Sequence, residues 1–116
     1  MDPSKTHLAT GALSVFLAIA GVLSSSGAPI ISEILADNES GLRDEDGEWE
    51  DWLELYNPDP DPYDVGGHFL TDNPDNPTKW RIPDNTILQP RGFLVIFASG
   101  KDRAITGQQL HTSFGL

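Results

Sequence analysis

From Pro29 onward the chain is written in short apolar runs separated by turn residues. PIISEILA (29–36) opens on β-branched residues. DWLELYN (51–57) alternates, so a strand there sends Leu53 and Leu55 to one face and Trp52, Glu54 and Tyr56 to the other. TKWRIP (78–83) does the same, with Trp80 and Ile82 opposed to Lys79 and Arg81. GFLVIFAS (92–99) is apolar on both faces from Phe93 to Ala98, the pattern of a central strand covered on both sides. QLHTSFGL (109–116) begins as one more strand.

The punctuation is dense. NPDPDPYD (57–64) has proline at 58, 60 and 62 and belongs in a turn or an extended edge. TDNPDNPT (71–78) is a second Asn/Asp/Pro loop, Pro83-Asp84-Asn85-Thr86 reads as a type I turn, and Pro90-Arg91-Gly92 turns before the central run. Gly66-Gly67 reads as a turn or bulge rather than a phosphate cradle, because no helix start follows it. No helix-periodic stretch follows residue 28. Short strands with frequent turn signals predict an all-β sandwich or barrel.

The first 28 residues break this pattern. MDPSKTH carries Lys5, LATGALSVFLAIAGVL (8–23) carries no charge, and SSSGAP supplies small residues. That order predicts a signal peptide over 1–28, with a hydrophobic helix and cleavage between Ser26 and Ala28. An uncleaved N-terminal membrane anchor stays open, although sixteen apolar residues fall short of the roughly 20 that span a bilayer. The net charge of −11 repels phosphate backbones and anionic lipids, so no direct nucleic-acid binding is expected, and membrane contact only through residues 1–28 if they are retained. With no cysteine, thiol catalysis, zinc–thiolate sites and disulfides are excluded.

Four segments in order, IISEILADNESGLRDEDGEWEDWLELYNP, GGHFLTDNPDNPTKWRIPD, GFLVIFASGKDR and LHTSFGL, together resemble the lamin tail domain in its bacterial, exported versions. The resemblance covers residues 30–116. It implies an immunoglobulin-like β-sandwich over 29–116 and a non-catalytic module joined to other secreted domains. It also implies further strands after LHTSFGL, so the sandwich is expected to be incomplete and the chain a fragment of a larger protein. Heptads are absent, so filament formation does not carry over.

DEDGEWEDWLELYNP (44–58) is the one stretch that invites chemistry; seven of the eleven residues from Asp44 to Glu54 are carboxylates. An EF-hand loop needs glycine at its sixth place and glutamate at its twelfth. Starting at Asp44 puts Trp49 and Leu55 there, and aligning on Gly47 puts Leu42 first and Leu53 last. Both registers fail, and an irregular calcium site on Asp44, Asp46 and Glu48 stays open. Glu54 is the one carboxylate on an apolar-flanked strand; it is expected to pair with Lys79 or Arg81, or to accept a hydrogen bond, rather than to serve a glycosidase. His7, His68 and His111 assemble no relay with Ser32, Ser40 or Ser99, none of which sits in a nucleophile elbow. Trp49, Trp52 and Trp80 suit either packing or a sugar-stacking platform.

The sequence thus predicts a solvated acidic loop at Asp44–Glu50 leading into a core strand at Asp51–Asn57, with no catalytic, cofactor or metal residue assigned and calcium the one cofactor left open. The function expected is a secreted or cell-surface (or periplasmic), non-catalytic binding or accessory module that contacts a protein or cell-surface polymer. The alternative is a calcium-stabilised or carbohydrate-binding sandwich, with a hydrolase fragment third.

Overall fold

The computed structural model describes residues 16–18 and 28–116. Its strands are β1 (Phe16–Ala18), β2 (Ile30–Leu35), β3 (Trp52–Tyr56), β4 (Tyr63–Asp64), β5 (Phe69–Thr71), β6 (Trp80–Arg81), β7 (Ile87–Leu88), β8 (Phe93–Phe97) and β9 (Leu110–His111). Among the described residues there is no helix, and so none long and apolar enough to cross a membrane. The signal helix expected over 1–28 falls outside the described residues, except at Phe16–Ala18, which is extended and pairs antiparallel with β5.

One sheet has the order β2-β3-β8-β9 and the others are β1-β5-β6 and the pair β4-β7. β2, β3 and β8 run antiparallel to their neighbours, while β9 lies parallel to β8. The alternation in the sequence sets the layers. Leu53 and Leu55 of β3 are fully buried and join Ile96 and Leu110 in one core with Val65, Leu70, Trp80, Ile82, Leu88 and Phe114 from the opposite layer. Ile31, Ile34 and Leu94 pack against that core from the same side of the large sheet. The result is the expected all-β sandwich, held by burial of one face of each sheet.

β8 is central, between β3 and β9. The expectation that both its faces are covered along its length does not hold: Ile96, Phe97 and Ala98 are buried, but Phe93 is 61% exposed and Leu94 and Val95 are half-buried. The second layer covers only the inner face, and the outer face closes only toward Phe97, where His111 stacks beside it with ring centroids 5.2 Å apart.

The turns follow side-chain chemistry. Gly92 N donates to Gln89 O (2.8 Å) across a turn with Pro90 second and Arg91 at φ 57° third, which is type II geometry. The type I turn expected at Pro83–Thr86 is not found: Asn85 has φ 59°, a left-handed value that type I lacks at that place, and Thr86 Oγ1 closes the turn on Pro83 O (2.7 Å). At Gly66 a Cβ would meet Asp64 Oδ1, Asp84 Cα and Pro83 O at 2.8 Å, so only glycine lets these segments meet. The triple-proline loop is organised by Asn57, which is fully buried. Its Nδ2 donates to Asp61 O (2.9 Å), Leu88 O (3.2 Å) and Gln89 O (3.1 Å), and its Oδ1 accepts from Asp59 N (3.0 Å).

Candidate functional site

The acidic stretch is a hairpin. Arg43 and Trp49 form an antiparallel bridge, and Asp44 N donates to Glu48 O (2.9 Å). Gly47, at φ 77°, gives the tip its left-handed residue. Asp44 Oδ1 accepts from the backbone N–H groups of Asp46 (2.9 Å) and Glu48 (3.0 Å), a side-chain-capped turn. Asn38 holds the base: its Nδ2 donates to Leu42 O (2.7 Å) and Glu50 O (3.0 Å).

The loop expected to be solvated is exposed from Glu45 to Trp49, but Asp44 at its start is buried and its charges are paired with cations from another segment. The Asp44 side chain has no exposed surface. Lys101 Nζ sits among three carboxylates, bonded to Asp44 Oδ2, Asp46 Oδ2 (2.9 Å) and Glu48 Oε1 (2.7 Å). Arg103 bridges Glu45 and Asp46, with Nη2 2.9 Å from Asp46 Oδ2. Burial alone would raise the Asp44 carboxyl, but the bonds from Lys101 and the backbone together hold it below the usual aspartate range. Lys101, and then Arg103, bring Asp46 down to about 2. Burial pulls Lys101 down, yet its three carboxylates outweigh that and raise it. Asp46 and Glu45 raise Arg103. An ammonium therefore occupies the place where Asp44, Asp46 and Glu48 would coordinate calcium. A smaller carboxylate group, Asp44, Glu48 and Glu50, brings ligand oxygens within 4.8 Å of one another.

The histidine expected to assemble nothing does assemble a chain. His111 is fully buried; its Nε2 is 2.9 Å from Glu45 Oε1 and its Nδ1 is 2.8 Å from Ser99 Oγ. A carboxylate can only accept, so the Nε2 proton faces Glu45 and Nδ1 faces the Ser99 hydroxyl. No spacing rule announces this chain, because the partners are 66 and 12 positions apart. The ring bond to His111, more than Arg103, keeps Glu45 below the usual glutamate range. The Lys101 N–H donates to Ser99 Oγ (3.1 Å). Glu45 N also donates to Gln109 Oε1 (2.8 Å), so the chain ties the hairpin to β9.

Glu54 pairs with neither Lys79 nor Arg81. Those bind Asp72 (2.7 Å) and Asp84 (2.6 Å), and Glu54 Oε1 accepts from Ser32 Oγ (2.8 Å). The tryptophans share no platform. Trp80 is in the core with Nε1 donating to Asp102 Oδ1 (3.0 Å), Trp52 lies on the outer face of the large sheet, and Trp49 lies under Arg43, whose Cζ is 4.3 Å from its ring centre. His68 lies 3.4 Å from the Tyr63 hydroxyl. Ser99 was weighed from the sequence only as a nucleophile, and Lys101, Asp102 and Arg103 not at all, yet each of the four binds another segment. The readable signal was a basic pair directly after a buried strand in a chain with 7 cations and 18 carboxylates.

The outer face of the large sheet carries the other notable feature. Ile30, Tyr56 and Phe93 lie in register across β2, β3 and β8, and the rings of Tyr56 and Phe93 are 4.6 Å apart. Ile30 is 51% and Phe93 61% exposed. One step along, a bulge between Ile31 and Glu33 sets Glu33 opposite Glu54.

Residues 23–115 match the family model for the Lamin Tail Domain. No curated protein and no solved structure matches the chain significantly. Domains of this kind are immunoglobulin-like and generally serve as non-catalytic interaction modules, which agrees with the sandwich and with a hairpin whose charged groups bind one another. The chain belongs to the lamin tail domain family.

Proposed function

We propose that the chain is an exported, non-catalytic contact module of a larger extracellular protein, attaching it to another protein or to a cell-surface polymer. The observation that carries this reading is the exposed apolar row Ile30–Tyr56–Phe93 at the end of the outer sheet face away from the hairpin. An apolar row in water costs solubility and is retained where it meets a partner. The acidic hairpin has a different role in this reading. Lys101, Arg103 and the Glu45–His111–Ser99 chain fasten it to the far end of the sheet, which shapes the module without chemistry.

A calcium-stabilised module is the second reading, favoured by the closeness of the Asp44, Glu48 and Glu50 oxygens. Lys101 weighs against it, since its ammonium already neutralises Asp44 and Glu48.

Cell fractionation of an expressing strain tests the leading reading. Secreted or surface-bound material should begin between Gly27 and Ile30. Phe93→Ser, folded and melting like the parent, should leave the surface fraction for the medium. Retention of Met1 in the membrane, or unchanged attachment of Phe93→Ser, would reject it.

A further inference from the structure

We infer that the open face of the large sheet binds a polypeptide segment presenting a lysine or arginine between apolar side chains. This rests on the contact-face reading above and adds the partner's chemistry.

Glu33 and Glu54 stand directly opposite each other on neighbouring strands. Like charges so placed repel and weaken the sheet. Ser32 Oγ relieves Glu54 in part, by a 2.8 Å hydrogen bond. No cation among the described residues pairs with either carboxylate. Lys79 binds Asp72 and Arg81 binds Asp84. Lys101 and Arg103 are held by the hairpin, Arg43 lies over Trp49, and Arg91, on the turn before β8, forms no ion pair with either carboxylate among the described residues. A cation brought by a partner would relieve the repulsion.

The surroundings say what should carry it. Ile30, Tyr56 and Phe93 lie one step along the same face, roughly 7 Å from the carboxylates at strand spacing. Val95 flanks Glu54 in register. A basic side chain fits this arrangement twice, with its methylene stem on the apolar row and its charged head between Glu33 and Glu54. An extended segment with apolar and basic residues two places apart matches the spacing. A second copy of this chain fits poorly, because it would press two more carboxylates onto the first pair in a chain of net charge −11. An anionic membrane fails for the same reason.

The probe is an eight-residue peptide, Val-Thr-Lys-Thr-Val-Thr-Lys-Thr, titrated into the full chain and followed by backbone amide shifts. The controls are the same peptide with glutamine for lysine, and solution mass without peptide. Shifts in β2, β3 and β8 are expected, with the glutamine peptide binding about tenfold more weakly and the lysine peptide losing affinity with salt. The double variant Glu33→Gln/Glu54→Gln should lose that preference. It removes a repulsion, so its melting point should be at or above that of the parent, and lost binding cannot be ascribed to unfolding. Equal binding of both peptides to this face overturns the charge pairing while leaving the contact face in place. Shifts elsewhere, or none, overturn the proposal. Self-association that Phe93→Ser abolishes overturns it in favour of a second copy. Failure of the contact-face reading itself is seen separately, in Phe93→Ser remaining on the cell surface.

Discussion

Lys101 Nζ lies 2.5 Å from Asp44 Oδ2, joining two residues 57 positions apart. Because the Asp44 side chain has no exposed surface, its charge depends on that ammonium. Lys101→Met keeps the stem and removes the charge, and should cost about 2–4 kcal/mol, the usual effect of stranding a buried carboxylate. Denaturant unfolding reads it. In the parent, millimolar calcium should leave the thermal midpoint unchanged, since the site already holds a cation; a rise would establish a metal site.

Acid should loosen the same hairpin. Asp46 titrates near 2 in the folded chain against an ordinary 3.8, and Asp44 and Glu45 are also depressed. Groups depressed by folding contribute stability above their unfolded values and lose it as pH falls through the folded ones. The melting midpoint should hold above about pH 4.5 and fall between about pH 4 and pH 2. Lys101 and Arg103, both raised, contribute across that plateau and lose their effect only in strong alkali. Asp46→Asn should flatten part of the acid limb. A profile identical to the parent's would show that Asp46 is not linked to folding.

Asn57 satisfies three carbonyls from one fully buried amide. Asn57→Asp replaces the donor with a carboxylate facing Leu88 O and Gln89 O. It should cost about 3 kcal/mol or more. Lowering the pH should recover part of the loss, because the protonated acid can donate again. Urea unfolding at two pH values checks both statements.

Trp52 shows the opposite economy. Its Nε1 is buried with no hydrogen-bond partner among the described residues. Trp52→Phe removes that N–H with a small loss of ring area, so stability should stay within about 1 kcal/mol of the parent or rise. A larger drop, measured by thermal unfolding, would reveal a partner for the indole.

The strands were legible because period two survives in short runs. Leu53 and Leu55 point inward as their alternation with Trp52, Glu54 and Tyr56 demands, and Trp80 and Ile82 oppose Lys79 and Arg81 as read. The family was legible through four segments in order. Lateral contacts were not. Glu54 accepts a hydrogen bond, one of the two alternatives expected, but its donor Ser32 lies at the bulge in β2, which no rule of spacing announces. The acidic loop is exposed from Glu45 to Trp49 as read, but its anchoring was not legible, because Lys101 and Arg103 arrive from beyond β8. Asn85 took a left-handed conformation, which asparagine tolerates and its sequence context does not dictate.

The parallel placement of β9 has a mechanical meaning. Since β2, β8 and β9 all point the same way, the chain enters the sheet at one edge and one end and leaves at the other edge and the opposite end. Tension between the start of β2 and the end of β9 would therefore run lengthwise along the strands. The ladder bonds would be strained together in shear instead of being unzipped one at a time, and the ties from Glu45 to His111 and Arg103 would resist the peeling of β9. A sheet built this way would yield to such a load all at once rather than strand by strand.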